Sequence, residues 1–265
     1  MIELDRLRIA VGGTTVVHDV SLRVGPGERV GLVGASGSGK TLTALATVGL
    51  LPDETAVDGT VAIDGTDLAR ADDRTWRRVR GSRVAMVFQE PSLALNPLLT
   101  IGQQFAIPLR RLEGLDRREA RTRAEAACAS VSLEAGVLDR RPHELSGGQR
   151  QRACLAIALV RNPAVLVADE PTTALDPTVQ HEVLVLLDDL VRSRGLGLLL
   201  VSHDLAVVAA RTDRVVVLER GRVAETSPSG SLRTGGATSD AGRRLVEAAM
   251  VSDRRIGSLS EGRRA

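Results

Sequence analysis

Gly34-Ala35-Ser36-Gly37-Ser38-Gly39-Lys40-Thr41 is the stretch whose reading decides the fold. It fits the pattern G-x-x-x-x-G-K-[ST], in which glycines let the backbone bend until its N–H groups face phosphate oxygens. A helix starting at Lys40 adds the positive end of its dipole. In such a loop the lysine reaches the terminal phosphates and the Thr41 hydroxyl holds Mg²⁺. The plain alternative is a glycine-rich turn with an incidental lysine, and composition argues against it. Of the 35 basic residues Lys40 is the sole lysine; the others are arginine. A position that keeps lysine in such a chain needs a compact ammonium, not a planar fork.

Outward from the loop, Arg29 to Val33 is a short apolar run entering it, and Lys40 to about Leu50 reads as the helix leaving it, stopped by Pro52. Upstream, Ile2 to Val24 alternates apolar and polar residues around Gly12-Gly13, which predicts antiparallel strands. Val57 to Ile63 and Val84 to Phe88 resume strand character, the latter ending at Gln89. From about Pro91 to Arg141 the periodicity becomes helical, over Ile101–Leu109, Arg117–Ser130 and Ser132–Leu138. A helix then opens at Leu145-Ser146-Gly147-Gly148-Gln149 and stops at Asn162-Pro163. Val165 to Ala168 is a fully apolar run, as in a buried parallel strand, and ends in Asp169-Glu170. A helix over Val179–Arg194 follows, then a strand over Gly197–Val201 delivering Ser202-His203-Asp204, then a hairpin of Val215–Leu218 with Arg222–Glu225. Beyond Ser227 the chain is rich in Ser, Gly and Arg, which predicts a partly flexible tail with one short helix near Ala241 to Val251.

The bulk properties exclude several classes. A length of 265 residues allows a full core, and a net charge of +2 gives no basic field of the kind that marks a nucleic-acid binder. The arginine runs at 77–83 and 117–123 read as solvated helix faces. Two cysteines, Cys128 and Cys154, sit in helical segments without metal-ligand spacing, which suits a reduced compartment. No apolar run is long enough to span a bilayer and the N-terminus lacks a signal-peptide core, so a membrane role runs through a partner.

A second nucleotide element stands at Asp169, where a carboxylate at a strand's end lies beside the loop and can hold Mg²⁺. Glu170 points away from the metal and is placed to polarise an attacking water. Together these residues resemble the ATPase subunit of an ATP-binding cassette (ABC) transporter, over roughly Leu4 to Thr226. Leu145 to Gln149 matches the family's signature, Gln89 its Q-loop, Ala174-Leu175-Asp176 its D-loop and His203 its switch histidine.

The resemblance implies an α/β fold: a phosphate-loop NTPase core with an antiparallel β subdomain and a helical subdomain inserted at about 90–160, within one domain spanning 1–226. It implies ATP and Mg²⁺ as ligands, with Gly34 to Thr41 on the phosphates and Thr41, Gln89 and Asp169 on the metal. Glu170, His203 and Gln89 form the implied catalytic set. Ser146, Gly147, Gly148 and Gln149 serve the ATP held by a second cassette, a copy of this chain or a paralogue, in a head-to-tail dimer. Further implied partners are a transmembrane permease and, through it, an extracytoplasmic binding protein, which places the chain at the cytoplasmic face of the membrane.

Phe88 to Pro97 is similar to the segment typical of peptide and nickel importer ATPases. That group often carries cysteines in a C-terminal extension, and no cysteine follows Cys154, which fits a shorter nickel-type or a divergent peptide-type subunit. The alternatives are an accessory cassette of a phosphonate-degrading complex and a non-transport ABC ATPase. One departure stands out: the family's adenine-stacking aromatic is matched at about Val11 by an aliphatic residue, so adenine is held more weakly or by other means.

Overall fold

The computed structural model describes residues 1–172 and 175–261. In chain order the strands β1 (Ile2–Val11), β2 (Thr14–Val24) and β3 (Arg29–Gly34) lead into α1 (Lys40–Ala46). β4 (Thr55–Ile63), β5 (Thr66–Asp67), α2 (Asp73–Val79) and β6 (Val84–Val87) follow. Next come α3 (Pro91–Ala94), α4 (Ile101–Arg111), α5 (Arg117–Ser130), two 3-10 turns at Ala135–Asp139 and Pro142–Glu144, and α6 (Gly147–Leu159). β7 (Val165–Asp169), α7 (Pro177–Arg194), β8 (Gly197–Ser202), α8 (Leu205–Arg211), β9 (Arg214–Glu219), β10 (Arg222–Pro228), α9 (Ser229–Arg233) and α10 (Asp240–Glu261) complete the described chain.

The strands form two sheets. One is antiparallel, in the order β2-β1-β4-β5; the other has six strands in the order β10-β9-β3-β8-β7-β6. In the larger sheet β3 lies between β8 and β9, parallel to both, and β7 pairs in parallel with β8 and β6. Side chains alternate strictly across it. Val30, Leu32, Val167, Leu199, Val201 and Val216 face the antiparallel sheet, where they pack with Ile2, Leu7 and Val20. Leu166, Ala168, Leu198, Leu200, Val215 and Val217 face the helices, packing with Phe105, Leu155 and Leu187. Both faces are covered, which is why these strands read as continuous apolar runs instead of alternating ones.

The predicted helices form where their ends are chemically marked. Thr100, Asp116 and Ser146 each cap a helix reciprocally with the side chain three residues on, Gln103, Glu119 and Gln149. Asp176 caps α7, Pro177 opens it and Gly195 ends it in a left-handed conformation with φ 62°. The stretch 132–138, predicted helical, gives only the 3-10 turn at Ala135–Asp139, because Ser132 takes a left-handed conformation (φ 57°) that breaks the run at its start. The leading helix stops at Ala46 and turns through the left-handed Gly49 before reaching Pro52.

The chain also continues past the expected boundary at Thr226 as packed structure. Leu232, Ala241 and Val246 are buried against the helical face of the sheet. The anchor is Glu225 on β10. Its carboxylate accepts from the backbone N–H groups of Thr238 (3.0 Å) and Ser239 (2.9 Å) and from the hydroxyls of Ser227 (2.6 Å) and Ser239 (2.8 Å). Composition missed this, because the anchoring acid lies outside the Ser/Gly-rich stretch it holds.

Burial acts to raise the Glu225 pKa, but the hydrogen bonds outweigh it and hold the carboxyl at about 2 against an ordinary 4.5. A depressed carboxyl stabilises the fold fully above its unfolded pKa and loses that contribution as pH falls through the folded one. Amide exchange in 240–249 should therefore accelerate, relative to β3, as pH falls from 4.5 towards 2. Glu225→Gln should produce the same loosening at neutral pH, costing roughly 1–3 kcal/mol in denaturant titration.

Candidate functional site

Parallel alignment puts the carboxyl ends of β3, β8, β7 and β6 on one edge of the sheet. Those ends carry, respectively, the glycine loop, His203, Asp169-Glu170 and Gln89. Open α/β sheets bind ligands at this edge. Here the loop, Gln89, Glu170 and His203 line one cleft of about 480 Å³, with Val16 of β2 on its wall.

Within the loop, Gly37 (φ 75°) and Gly39 (φ 98°) hold left-handed conformations that favour glycine. Gly34 is required for a different reason: a Cβ there would stand 2.2 Å from the Leu218 carbonyl oxygen on β9. Lys40 lies buried along the loop, its Nζ donating to the carbonyls of Gly34 (3.0 Å) and Ala35 (3.1 Å). Burial lowers its pKa, opposed by the charges of Glu170 and Asp169.

Asp169 is 5% exposed. Burial raises its pKa, with Glu170 adding to the effect and the Thr41 side chain and Lys40 opposing it. Its Oδ1 is buried with no hydrogen-bond partner, as is the Ser38 hydroxyl. An orphaned carboxylate oxygen beside a threonine hydroxyl is a donor set that suits a hard divalent cation.

Glu170 follows in a left-handed conformation, φ 44°, costly for a residue with a side chain and held by its N–H donating to the Val201 carbonyl at 2.9 Å. Its Oε1 lies 3.1 Å from His203 Nδ1. Asp204 fixes the histidine's loop by capping α8 through the N–H groups of Ala206 and Val207.

Ser146, Gly148 and Gln149 lie elsewhere. They line a second cleft of about 480 Å³ with Arg152, Val179 and Glu182, and share no lining residue with the first. Ser146 caps α6, and Gly148 lets α6 approach α7, since a Cβ there would meet Val179 Cγ1 at 2.6 Å. A Gly147 Cβ would lie 3.5 Å from Leu175. Ala174, the first residue of the expected D-loop, lies outside the described residues; Asp176, its last, caps α7.

Val11 ends β1 opposite Thr14 and Thr55 and packs on the core between the sheets. Val16, five residues on, borders the cleft together with Leu42 of α1; sequence reading missed Val16 because the β1–β2 turn brings it there.

This geometry defines a phosphate-loop NTPase: a glycine loop after one parallel strand, an acid pair two strands away, and the intervening strand delivering a histidine. The chain belongs to the ABC transporter family, whose model matches residues 17–173. A model for an AAA domain, putative AbiEii toxin, Type IV TA system, also matches, over 138–209. Among curated relatives, a putative peptide import ATP-binding protein of Brucella melitensis is 47% identical over 225 residues, 80% of this chain and 65% of that protein. The oligopeptide transport ATP-binding protein AppD of Bacillus subtilis is 42% identical, over 80% of this chain and 66% of its own. The chain thus spans just under two thirds of the length of these relatives.

Among solved structures, the dimeric post-hydrolysis state of the ATP-binding cassette MJ0796 bound to ADP and Pi superposes with TM-score 0.74 at 29% identity. It covers 86% of this chain and 99% of that one. The cbiO1 protein of Clostridium perfringens, part of the ABC transporter complex cbiONQ, gives 0.77 at 25% identity over 98% of both chains.

Because Lys40 is a buried point charge lying on two carbonyls, Lys40→Arg should fold but lose nucleotide affinity at least about tenfold despite keeping its charge. Titration with a fluorescent ATP analogue, alongside circular dichroism, measures both.

Proposed function

We propose that the chain is the ATP-hydrolysing subunit of an importer for peptides, working as a dimer of cassettes on a membrane permease. The observation that carries this is the Glu170–His203 contact, 3.1 Å, in the same cleft as the glycine loop. The loop amides of Gly34 to Gly39 and the Lys40 ammonium hold the phosphates. Thr41, Asp169 and Gln89 would hold Mg²⁺, which supplies charge neutralisation at the β- and γ-phosphates. The orphaned Asp169 Oδ1 supports that assignment.

Glu170 orients and deprotonates water, and His203, bonded to it, holds the carboxylate in line with the terminal phosphate. Ser146, Gly148 and Gln149 line a separate cleft, which supports a role for Ser146 to Gln149 in completing the site of a second cassette instead of their own. The N–H groups of a capped helix start suit that anion. Hydrolysis then removes the group that bridges the two subunits, and the dimer opens.

No helix among the described residues is long and apolar enough to cross a membrane, so coupling to transport runs through a partner. A groove of about 360 Å³ lined by Phe88, Leu95, Leu99, Ile107 and Cys154 begins next to Gln89 and suits an apolar helix of the permease. Leu98, 78% exposed, stands in the segment bordering it. The peptide importer relatives favour peptides over nickel as cargo, and permease over phosphonate-degrading enzymes as partner.

Glu170→Gln should abolish turnover, by about a hundredfold or more, while retaining ATP binding and trapping a dimer visible by size-exclusion chromatography. A variant that stays monomeric with ATP, with or without the permease, removes the dimer mechanism. Ile107→Glu should abolish ATP-dependent peptide uptake in reconstituted vesicles and leave basal ATPase activity of the isolated subunit intact; loss of both would mean misfolding.

A further inference from the structure

The phosphate loop is held from outside as well as by its own hydrogen bonds, such as that from the Ser38 N–H to the Ala35 carbonyl (3.2 Å). Its inner side rests on two segments far from it in sequence, the start of β2 and the turn between β9 and β10. Gly221, in that turn, donates its N–H to the Ser38 carbonyl at 3.0 Å, and its own carbonyl accepts from the His18 N–H at 2.7 Å. One glycine residue, through its N–H and its C=O, therefore bridges β2 and the loop.

The bridge demands glycine twice over. β9 ends at Glu219 and β10 starts at Arg222, so Arg220-Gly221 form a two-residue hairpin turn, with φ 48° and 75°. Both central residues are left-handed, as the tightest hairpin turns require. Asparagine tolerates that conformation, but space does not tolerate any side chain. A Cβ on Gly221 would stand 2.0 Å from the Val16 carbonyl oxygen and 2.9 Å from the ring of His18. The obstructing atom nearest it is backbone in a paired strand, which cannot swing aside.

We infer that Gly221 is a positioning residue for nucleotide binding: by holding the Ser38 carbonyl, it sets the plane of the Ser38–Gly39 peptide and thereby aims the Gly39 amide. A trans peptide carries its C=O and N–H on opposite sides, and no described peptide is cis. Drawing the Ser38 oxygen towards the hairpin thus turns the Gly39 N–H away from it. Gly39 immediately precedes Lys40 and lines the cleft. The neighbouring contacts act in the same sense, since a Gly39 Cβ would lie 3.1 Å from Val17 and a Gly34 Cβ would meet Leu218 backbone. Release of the Ser38 carbonyl leaves this peptide free to rotate, and the loop loses an amide that is otherwise fixed before the anion arrives.

This inference rests on the reading of residues 34–41 as the phosphate loop, and its test separates the two. ATP and ADP titrations and steady-state kinetics are run on the full chain as wild type, Gly221→Asn, Gly221→Ala and Arg220→Gly. Gly221→Asn and Gly221→Ala should raise KM and the dissociation constants about tenfold or more, with kcat changed less than about threefold. Arg220→Gly, which keeps the turn and the close approach, should bind as wild type.

Amide exchange of wild-type Gly221 adds a readout that needs no variant: slow exchange, comparable with the β9–β10 ladder, is expected. Rapid exchange overturns the inference, as does a folded Gly221→Asn with wild-type affinity. Failure of the wild-type chain to bind either nucleotide removes the phosphate-loop reading and this inference with it.

Discussion

The parallel direction of β3, β8, β7 and β6 is the constraint on which the rest depends. Side-by-side parallel strands end at the same edge, and neighbours lie only about 4.8 Å apart. Four segments separated by up to 169 positions, from Gly34 to His203, are thereby set around one cleft. Reversing any one of the strands would send its terminal residue to the far side of the molecule. Burial of both sheet faces, against a second sheet and against helices, makes that direction and register rigid.

Close backbone approach is the second constraint. Gly34, Gly148 and Gly221 are each needed where two elements come nearer than a Cβ permits: loop to β9, α6 to α7, and hairpin to β2. Gly34 and Gly148 are needed for space alone, Gly37 and Gly39 hold left-handed conformations, and Gly221 combines the two demands. Two motif stretches are thus shaped by packing as well as by any ligand. The phosphate loop rests on β2 and the last hairpin, and the helix start at Ser146 is closed reciprocally with Gln149 and packed on Val179.

Much of this was legible in the chain itself. The period-two pattern from Ile2 to Val24, the apolar runs before Gly34, Asp169 and Ser202, and the helical periodicity of Arg117–Ser130 each carried a local signal, and each element formed near the expected residues. What failed locally did so for identifiable reasons. Residues 132–138 had helical spacing but start at a left-handed Ser132, and the chain beyond Ser227, where the helix expected near Ala241 to Val251 is found, is also anchored by Glu225, which its Ser/Gly-rich composition did not show. An anchor outside the segment it holds leaves no trace in that segment's composition.

By itself, then, the sequence singled out the residues proposed for phosphate, metal and proton chemistry, because those residue types sit in short motifs whose spacing is local. It also marked most strands and helices, because hydrophobic periodicity is local too, and the fold class followed from the resemblance that the motifs carry. Only the tertiary structure decided that Val16 and not Val11 borders the cleft, and how Glu170 and His203 meet, Oε1 to Nδ1 at 3.1 Å. Those are contacts between segments, fixed by strand order, strand direction and the closeness of backbones, and no local pattern records them.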